Sequence, residues 1–184
     1  AMAEYGYDLL IGQPWKDAPD EVKKYLGSKR ADGLILLGCR GYLDTISDIF
    51  GPKAPIIVWG AAEDLVYCSV NSDNVSGGRL AVQHLLQVGR RRIAFLGGYE
   101  GEPEVTLRYQ GYAKMLQKAG RQVDSSLVSY GDYSSQSGYQ NMQKLLAQAP
   151  DVDGVFACSD LMAIGAMEAV RESGRHVPDD ISVV

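Results

Sequence analysis

Residues 73–98 read DNVSGGRLAVQHLLQVGRRRIAFLGG, and this stretch contains both signals that decide the architecture. An Asp-Asn pair stands where a helix needs its N-cap, and an apolar-periodic segment follows as far as Val88. Gly89 then supplies the left-handed stop that ends many helices. After it, IAFLG (93–97) is a short unalternating apolar run, as in a strand covered on both faces. Helix, glycine and strand in that order make half of a βαβ unit. Between the glycine and the strand stand Arg90, Arg91 and Arg92, which read either as a nucleic-acid contact or as the polar border of a buried strand.

Composition weighs against the nucleic acid. The chain has 184 residues and a formal net charge of −5, a poor match to a polyanion over a broad face. Hydrophobic residues make up 46% and charged ones 22%, which is enough apolar material for a packed core. The three cysteines, Cys39, Cys68 and Cys158, are odd in number and far apart. Cys68 and Cys158 lie in or beside apolar runs and are expected to be small buried residues of a reducing, cytoplasmic compartment, not a disulfide frame or zinc site. No stretch approaches the ~18 apolar residues of a membrane span. The opening AMAEYGYDLLIG carries no leader pattern and reads as a helix end running into a strand, while the chain stops inside the apolar ISVV. It is therefore expected to be a segment of a longer protein.

The same alternation recurs along the chain. Apolar runs at 7–12, 33–38, 54–60, 66–70, 92–98, 154–159 and 181–184 are expected to be strands. Helical patterns lie between them. Residues 74–88 place Ala81, Leu85 and Val88 on one face, 104–119 place Tyr112, Met115, Leu116 and Ala119, and 160–172 place Ala163, Ile164, Met167 and Val170. Gly89, Gly120 and Gly174 follow these helices as caps. The expected fold is α/β, with two doubly wound parallel-sheet lobes, residues 1–90 and 91–184. In such sheets a ligand lies beyond the carboxyl ends of the strands, so the loops there are the places to look for function.

The chemistry of those loops is that of binding. No phosphate-loop pattern, dinucleotide fingerprint or nucleophile elbow occurs, and His84 and His176 are solitary. No cofactor, metal site or enzymatic activity is expected. Five positions stand where a crevice ligand would lie. Asp73-Asn74 and Ser159-Asp160 also serve as ordinary helix caps. Arg108, early in its helix, opposes the dipole unless its fork of donors holds a ligand. Tyr133 is an aromatic in a polar loop, and Trp59 ends the run IIVW (56–59); both read equally as packing or as stacking faces.

The opening stretch resembles the signature of the LacI/GalR (lac-repressor/gal-repressor) family of bacterial transcription regulators. The matching residues are an Asp, a Gly-Gly pair opening a helix, A-x-x-H-L, a glycine, two basic residues and I-A-x-L-x-G. Further matches are RYQGY (108–112), GDY (131–133), FACSDLMAIG (156–165) and VPDDISVV (177–184), so the resemblance spans essentially the whole chain. It implies a type I periplasmic-binding-protein-like effector domain of two lobes, incomplete here at both ends. It also implies a sugar effector between the lobes, a homodimer, no membrane, and operator DNA bound through an N-terminal helix-turn-helix outside this chain. By motif position Arg108 contacts effector, Tyr133 stacks on it, and Ser159 and Asp160 are the polar pair after the strand. Gly60 falls where many sugar-binding relatives carry Asp, leaving Trp59 as a stacking face. Glu104, with Glu102, precedes Arg108 and lines the site, and acidic lining favours a neutral polyhydroxylated ligand. A periplasmic sugar-binding protein of a transport system is the alternative on the same fold.

Overall fold

The computed structural model describes residues 2–12, 20, 22–37, 43–60 and 66–184; Cys39 lies outside the described residues. The chain divides into two compact units, Ala1–Asn71 and Ser72–Val184. In the first, strands β1 (Leu34–Leu37), β2 (Ile56–Trp59) and β3 (Cys68–Val70) form a parallel sheet in that order, with helix α1 (Leu43–Phe50) between β1 and β2. Leu36, Ile56 and Val58 point into a small core with Leu43, Ile46 and Tyr67. The alternate residues Ile35, Leu37, Ile57 and Trp59 are exposed, so these strands bury one face instead of the two expected. Cys68 is exposed as well, against expectation. The apolar run 7–12 forms no strand: no ladder pairs it among the described residues, and Leu9, Leu10 and Ile11 stay exposed. An apolar run becomes a strand only where a neighbour takes up its backbone hydrogen bonds.

The second unit contains four parallel strands in the order β5-β4-β6-β7: β4 (Ile93–Gly97), β5 (Val128–Tyr130), β6 (Gly154–Ala157) and β7 (Ser182–Val183). Helices α2 (Asn74–Gln87) and α3 (Pro103–Lys118) cover one face, where Ile93 and Phe95 meet Val82, Leu85, Tyr112 and Leu116. Helices α4 (Ser135–Gln148) and α5 (Asp160–Glu172) cover the other, where Ala94 and Leu96 meet Met142, Leu145, Met162 and Ala166. This is the doubly wound arrangement expected. Because α2 packs here, the division falls at Asn71, not after Arg90 as the sequence reading placed it.

The helix faces are rotated from those expected. On α2 the buried positions are Asn74, Gly78, Val82 and Leu85, and Leu80 and Val88 are exposed. On α5 they are Met162, Gly165, Ala166, Ala169 and Val170, and Ile164 and Met167 are exposed. Both helices carry more apolar residues than one face can bury, and small residues win the contact because helices approach closely there. A Cβ on Gly78 would collide with the Arg108 carbonyl oxygen, and one on Gly165 with that of Ser135. The three capping glycines do take positive φ.

The arginine triplet is a structural knot inside this unit. The Asp153 carboxylate accepts the Arg91 and Arg92 backbone N–H groups at 2.7–2.8 Å. Arg90 donates from Nε to Ser182 Oγ at 2.8 Å and from Nη2 to the Pro178 carbonyl at 2.6 Å, fixing the entry to β7. Arg92 pairs with Asp124 at 2.9 Å, and Arg121 caps the Arg90 and Arg91 carbonyls at 3.1 and 2.6 Å. The triplet therefore forms the polar border of the buried strand β4 and reaches across to neighbouring segments. Asp153→Ala removes the acceptor shared by two backbone donors, and should lower unfolding stability by about 1–3 kcal/mol. Urea unfolding of the full-length protein checks this; a change below about 0.5 kcal/mol, the range of neutral surface substitutions, contradicts it.

Candidate functional site

The carboxyl ends of β4, β5 and β6 emerge side by side, and the loops that follow them build one polar cluster. After β4, the backbone passes through Gly98, on which any side chain would occupy the space of the Tyr133 ring. That ring lies against the strand end because the loop after β5 is tightly folded. Gly131 N–H donates to the Gly97 carbonyl at 2.8 Å, and the Asp132 carboxylate accepts Ser134 N–H at 3.0 Å and its hydroxyl at 2.5 Å. Ser134 in turn caps α4 by accepting Ser137 N–H at 3.0 Å. Tyr133 sits between these anchors with φ 65°, a left-handed conformation rare for a residue with a side chain. Its hydroxyl donates to Glu102 Oε2 at 2.6 Å, and its ring meets Tyr99 edge-on at 5.8 Å. Burial, and then the bond to Glu102, push the Tyr133 phenol up, so it remains a proton donor.

Arg108 enters from α3. Its Nε donates to Asn74 Oδ1 at 2.8 Å and its Nη1 to the Cys158 carbonyl at 2.5 Å. These bonds join α3, the first residue of α2 and the end of β6. Nη2 makes no hydrogen bond to a described residue. The Cys158 thiol is buried, and burial pushes its pKa up to about 11, so it is a packed neutral group and not a nucleophile. Ser159 caps α5 by accepting Met162 N–H at 3.3 Å. Asp160 opens that helix from an exposed position, where its charge suits the dipole.

Arg108, Tyr133 and Ser159 are thus brought to one edge of the sheet, and Tyr133 lies near enough to Arg108 to feel its charge. Glu104 is half-buried in the first turn of α3, two residues after Glu102. Trp59 belongs to the first unit, where it is exposed at the carboxyl end of β2. Sequence reasoning named Asn74 only as part of a cap, and gave no place to Tyr99 or the Cys158 carbonyl. A backbone acceptor has no sequence signal. A cluster of guanidinium, phenol, carboxylate and hydroxyl groups beside an aromatic face offers hydrogen bonds and stacking to a polar ring.

Residues 82–184 match the model of the periplasmic binding protein-like domain family. Over its whole length the chain is 37% identical to the HTH-type transcriptional regulator CelR of Thermobifida fusca and covers 55% of it. It is 33% identical, over 97% of its length, to the HTH-type transcriptional repressor PurR of Mannheimia succiniciproducens, again covering 55%. Among solved structures, a transcriptional regulator CelR–cellobiose complex superposes with a TM-score of 0.88 at 36% identity, over 99% of this chain and 57% of that one. A sugar-binding transcriptional regulator of the LacI family from Escherichia coli, complexed with phosphate, gives 0.84 at 30% identity, over 99% of this chain and 67% of that one. The chain spans about half the length of the curated relatives it matches.

The loop that sets Tyr133 can be tested by pH. Hydrogen bonds from Ser134 and Ser137 lower the Asp132 pKa to about 2, from an ordinary 3.8. A depressed carboxylate adds stability above its unfolded pKa and loses it as pH falls through the folded one. The loop order should therefore persist down through pH 3.8 and fail only near pH 2. Carboxyl carbon NMR of Asp132 reads the midpoint; titration at the ordinary value contradicts the hydrogen bonding.

Proposed function

Because the chain belongs to the LacI/GalR family of transcriptional regulators and carries its periplasmic-binding-protein-like domain, we propose that it is the effector-sensing part of a sugar-responsive repressor. The observation that carries this reading is the Arg108 guanidinium, held by two acceptors at the carboxyl edge of the sheet with Nη2 turned to no described partner. A planar fork so fixed suits vicinal hydroxyls, which accept two donors at once. Tyr133 supplies the aromatic face, and Ser159, Asp160 and Glu104 supply polar groups around it. In its own unit, Trp59 offers a second aromatic face. Two carboxylates, Glu102 and Glu104, in the segment just before the arginine oppose an anionic ligand and favour a neutral sugar. Cellobiose, present in the CelR complex, is the first sugar to try.

The two units act as the two lobes of the effector domain. The whole regulator works in the cytoplasm, with operator DNA bound through an N-terminal helix-turn-helix that lies outside this chain. Effector affinity must differ between the DNA-competent state and the released state, since only that difference moves the equilibrium. The regulator acts as a homodimer, and α5 presents the face that supports this. Leu161 is 56% exposed, Ile164 53% and Met167 37% along its outer side. An apolar stripe of this kind on a water-facing helix fits a self-complementary contact across a two-fold axis.

Calorimetric titration of the full-length protein with cellobiose and a panel of neutral sugars tests the assignment. Arg108→Ala, which deletes the fork, should weaken the binding sugar by about a hundredfold with the fold retained; unchanged affinity removes Arg108 from the site. Sedimentation tests the assembly separately. Ile164→Asp, a buried charge in any apolar interface, should turn a wild-type dimer into a monomer, and a variant that remains dimeric excludes this face.

A further inference from the structure

We infer that Asn74 is a positioning residue for effector binding: its carboxamide sets the direction of the Arg108 guanidinium. The inference rests on the proposed role of Arg108 and adds to it the group that aims that side chain. Asn74 is the first residue of α2 and only 5% exposed. The helix cap itself is the work of Asp73, whose carboxylate accepts Ser76 N–H at 2.9 Å, so capping leaves the Asn74 side chain unexplained. A buried carboxamide needs partners for both its ends. Asn74 has them: Oδ1 accepts from Arg108 Nε at 2.8 Å, and Nδ2 donates to the Ser72 carbonyl at 3.2 Å. The orientation of the amide is fixed, because a flip would set its NH2 against the Nε–H donor and leave the Ser72 carbonyl facing an oxygen.

The geometry makes the bond a director and not merely a tether. An arginine side chain has four soft torsions, and a bond to Nη1 alone leaves the guanidinium plane free to rotate about it. A second bond at Nε, on the adjoining edge of the fork, fixes the plane. The remaining donors are then pointed in one direction before ligand arrives, which spares the ordering cost at binding. The neutral amide does this without cancelling the guanidinium charge, as a carboxylate in its place would. The contact is available because α2 and α3 touch backbone to backbone one turn further on, at Gly78 and the Arg108 carbonyl. Ser72 is the first residue of the second unit, so the amide also joins Arg108 to the backbone where that unit begins.

Two substitutions separate this role from a structural one. Asn74→Ala and Asn74→Asp both lose the bond to Ser72, and Asn74→Asp alone keeps an acceptor toward Nε. The experiment is Arg side-chain 15N NMR on full-length protein without ligand, followed by calorimetric titration with cellobiose. The Arg108 Nε–H should be protected from solvent exchange in wild type and Asn74→Asp, and should lose protection at least about tenfold in Asn74→Ala. Cellobiose affinity should fall about tenfold in Asn74→Ala and recover in Asn74→Asp. If Nε–H protection is the same in Asn74→Ala as in wild type, or if the two variants lose protection equally, the inference is overturned. If protection follows the predicted order but wild type takes up neither cellobiose nor any sugar of the panel, the reading of the site as a sugar site fails and the aiming of Arg108 by Asn74 stands.

Discussion

The second unit depends on two places where helices meet backbone to backbone. At one, Gly78 of α2 lies against the Arg108 carbonyl of α3, and Gly111 lies against the Val75 carbonyl. At the other, Gly138 of α4 meets the Met162 carbonyl of α5, and Gly165 meets that of Ser135. A side chain at any of these four positions would force the helix pair apart. The first crossing brings Asn74 and Arg108 within hydrogen-bond distance at the helix ends. The second aligns the starts of α4 and α5, where Ser134 and Ser159 cap their helices. Close packing thus decides where the polar groups emerge, and the loops only finish the arrangement.

The sheet supplies the remaining constraint. Every residue of β4 and β6 is buried, so these strands have no freedom to shift register without moving apolar groups across the layer. Phe95 anchors one face with Tyr109, Tyr112, Tyr130 and Phe156 around it at centroid distances of 5.4–6.2 Å. At the opposite end from the cluster, the Arg90–Arg92 knot ties the entry of β4 to Asp153 before β6 and to Ser182 on β7. A basic triplet read alone invites nucleic acid, but here the Arg90 and Arg92 side chains and the Arg91 and Arg92 backbone N–H groups bind protein oxygens.

The legible part of the fold was the part written as local pattern. Asp73, Ser159, Gly89, Gly120 and Gly174 mark helix ends wherever they occur, and β4, β6 and β7 lie in short apolar runs, whereas β5, with the sequence VSY, has none. Helix α4 went unread because SQSGYQNMQKLLAQ is mostly polar; only Met142 and Leu145 form its buried apolar positions, beside Gly138 and Asn141. The faces of α2 and α5 were misread for the opposite reason. Val88, Ile164 and Met167 look like core residues by type, yet glycine and alanine occupy the contact because proximity outweighs side-chain size there. The family motifs singled out Arg108 and Tyr133, and the structure brings the two side chains near each other. The Cys158 carbonyl and the Glu102 partner of Tyr133 were not singled out, because they are fixed by how three strand ends converge.

The central claim is that effector is held at this carboxyl edge by Arg108 and Tyr133. A crystal structure of the full-length protein with cellobiose, or with whichever sugar of the panel binds, tests it most directly. The account predicts a sugar hydroxyl within hydrogen-bond distance of the Arg108 Nη atoms, with the Asn74 bond retained and the Tyr133 ring against a sugar face. A sugar bound elsewhere, with Arg108 and Tyr133 untouched, would contradict it.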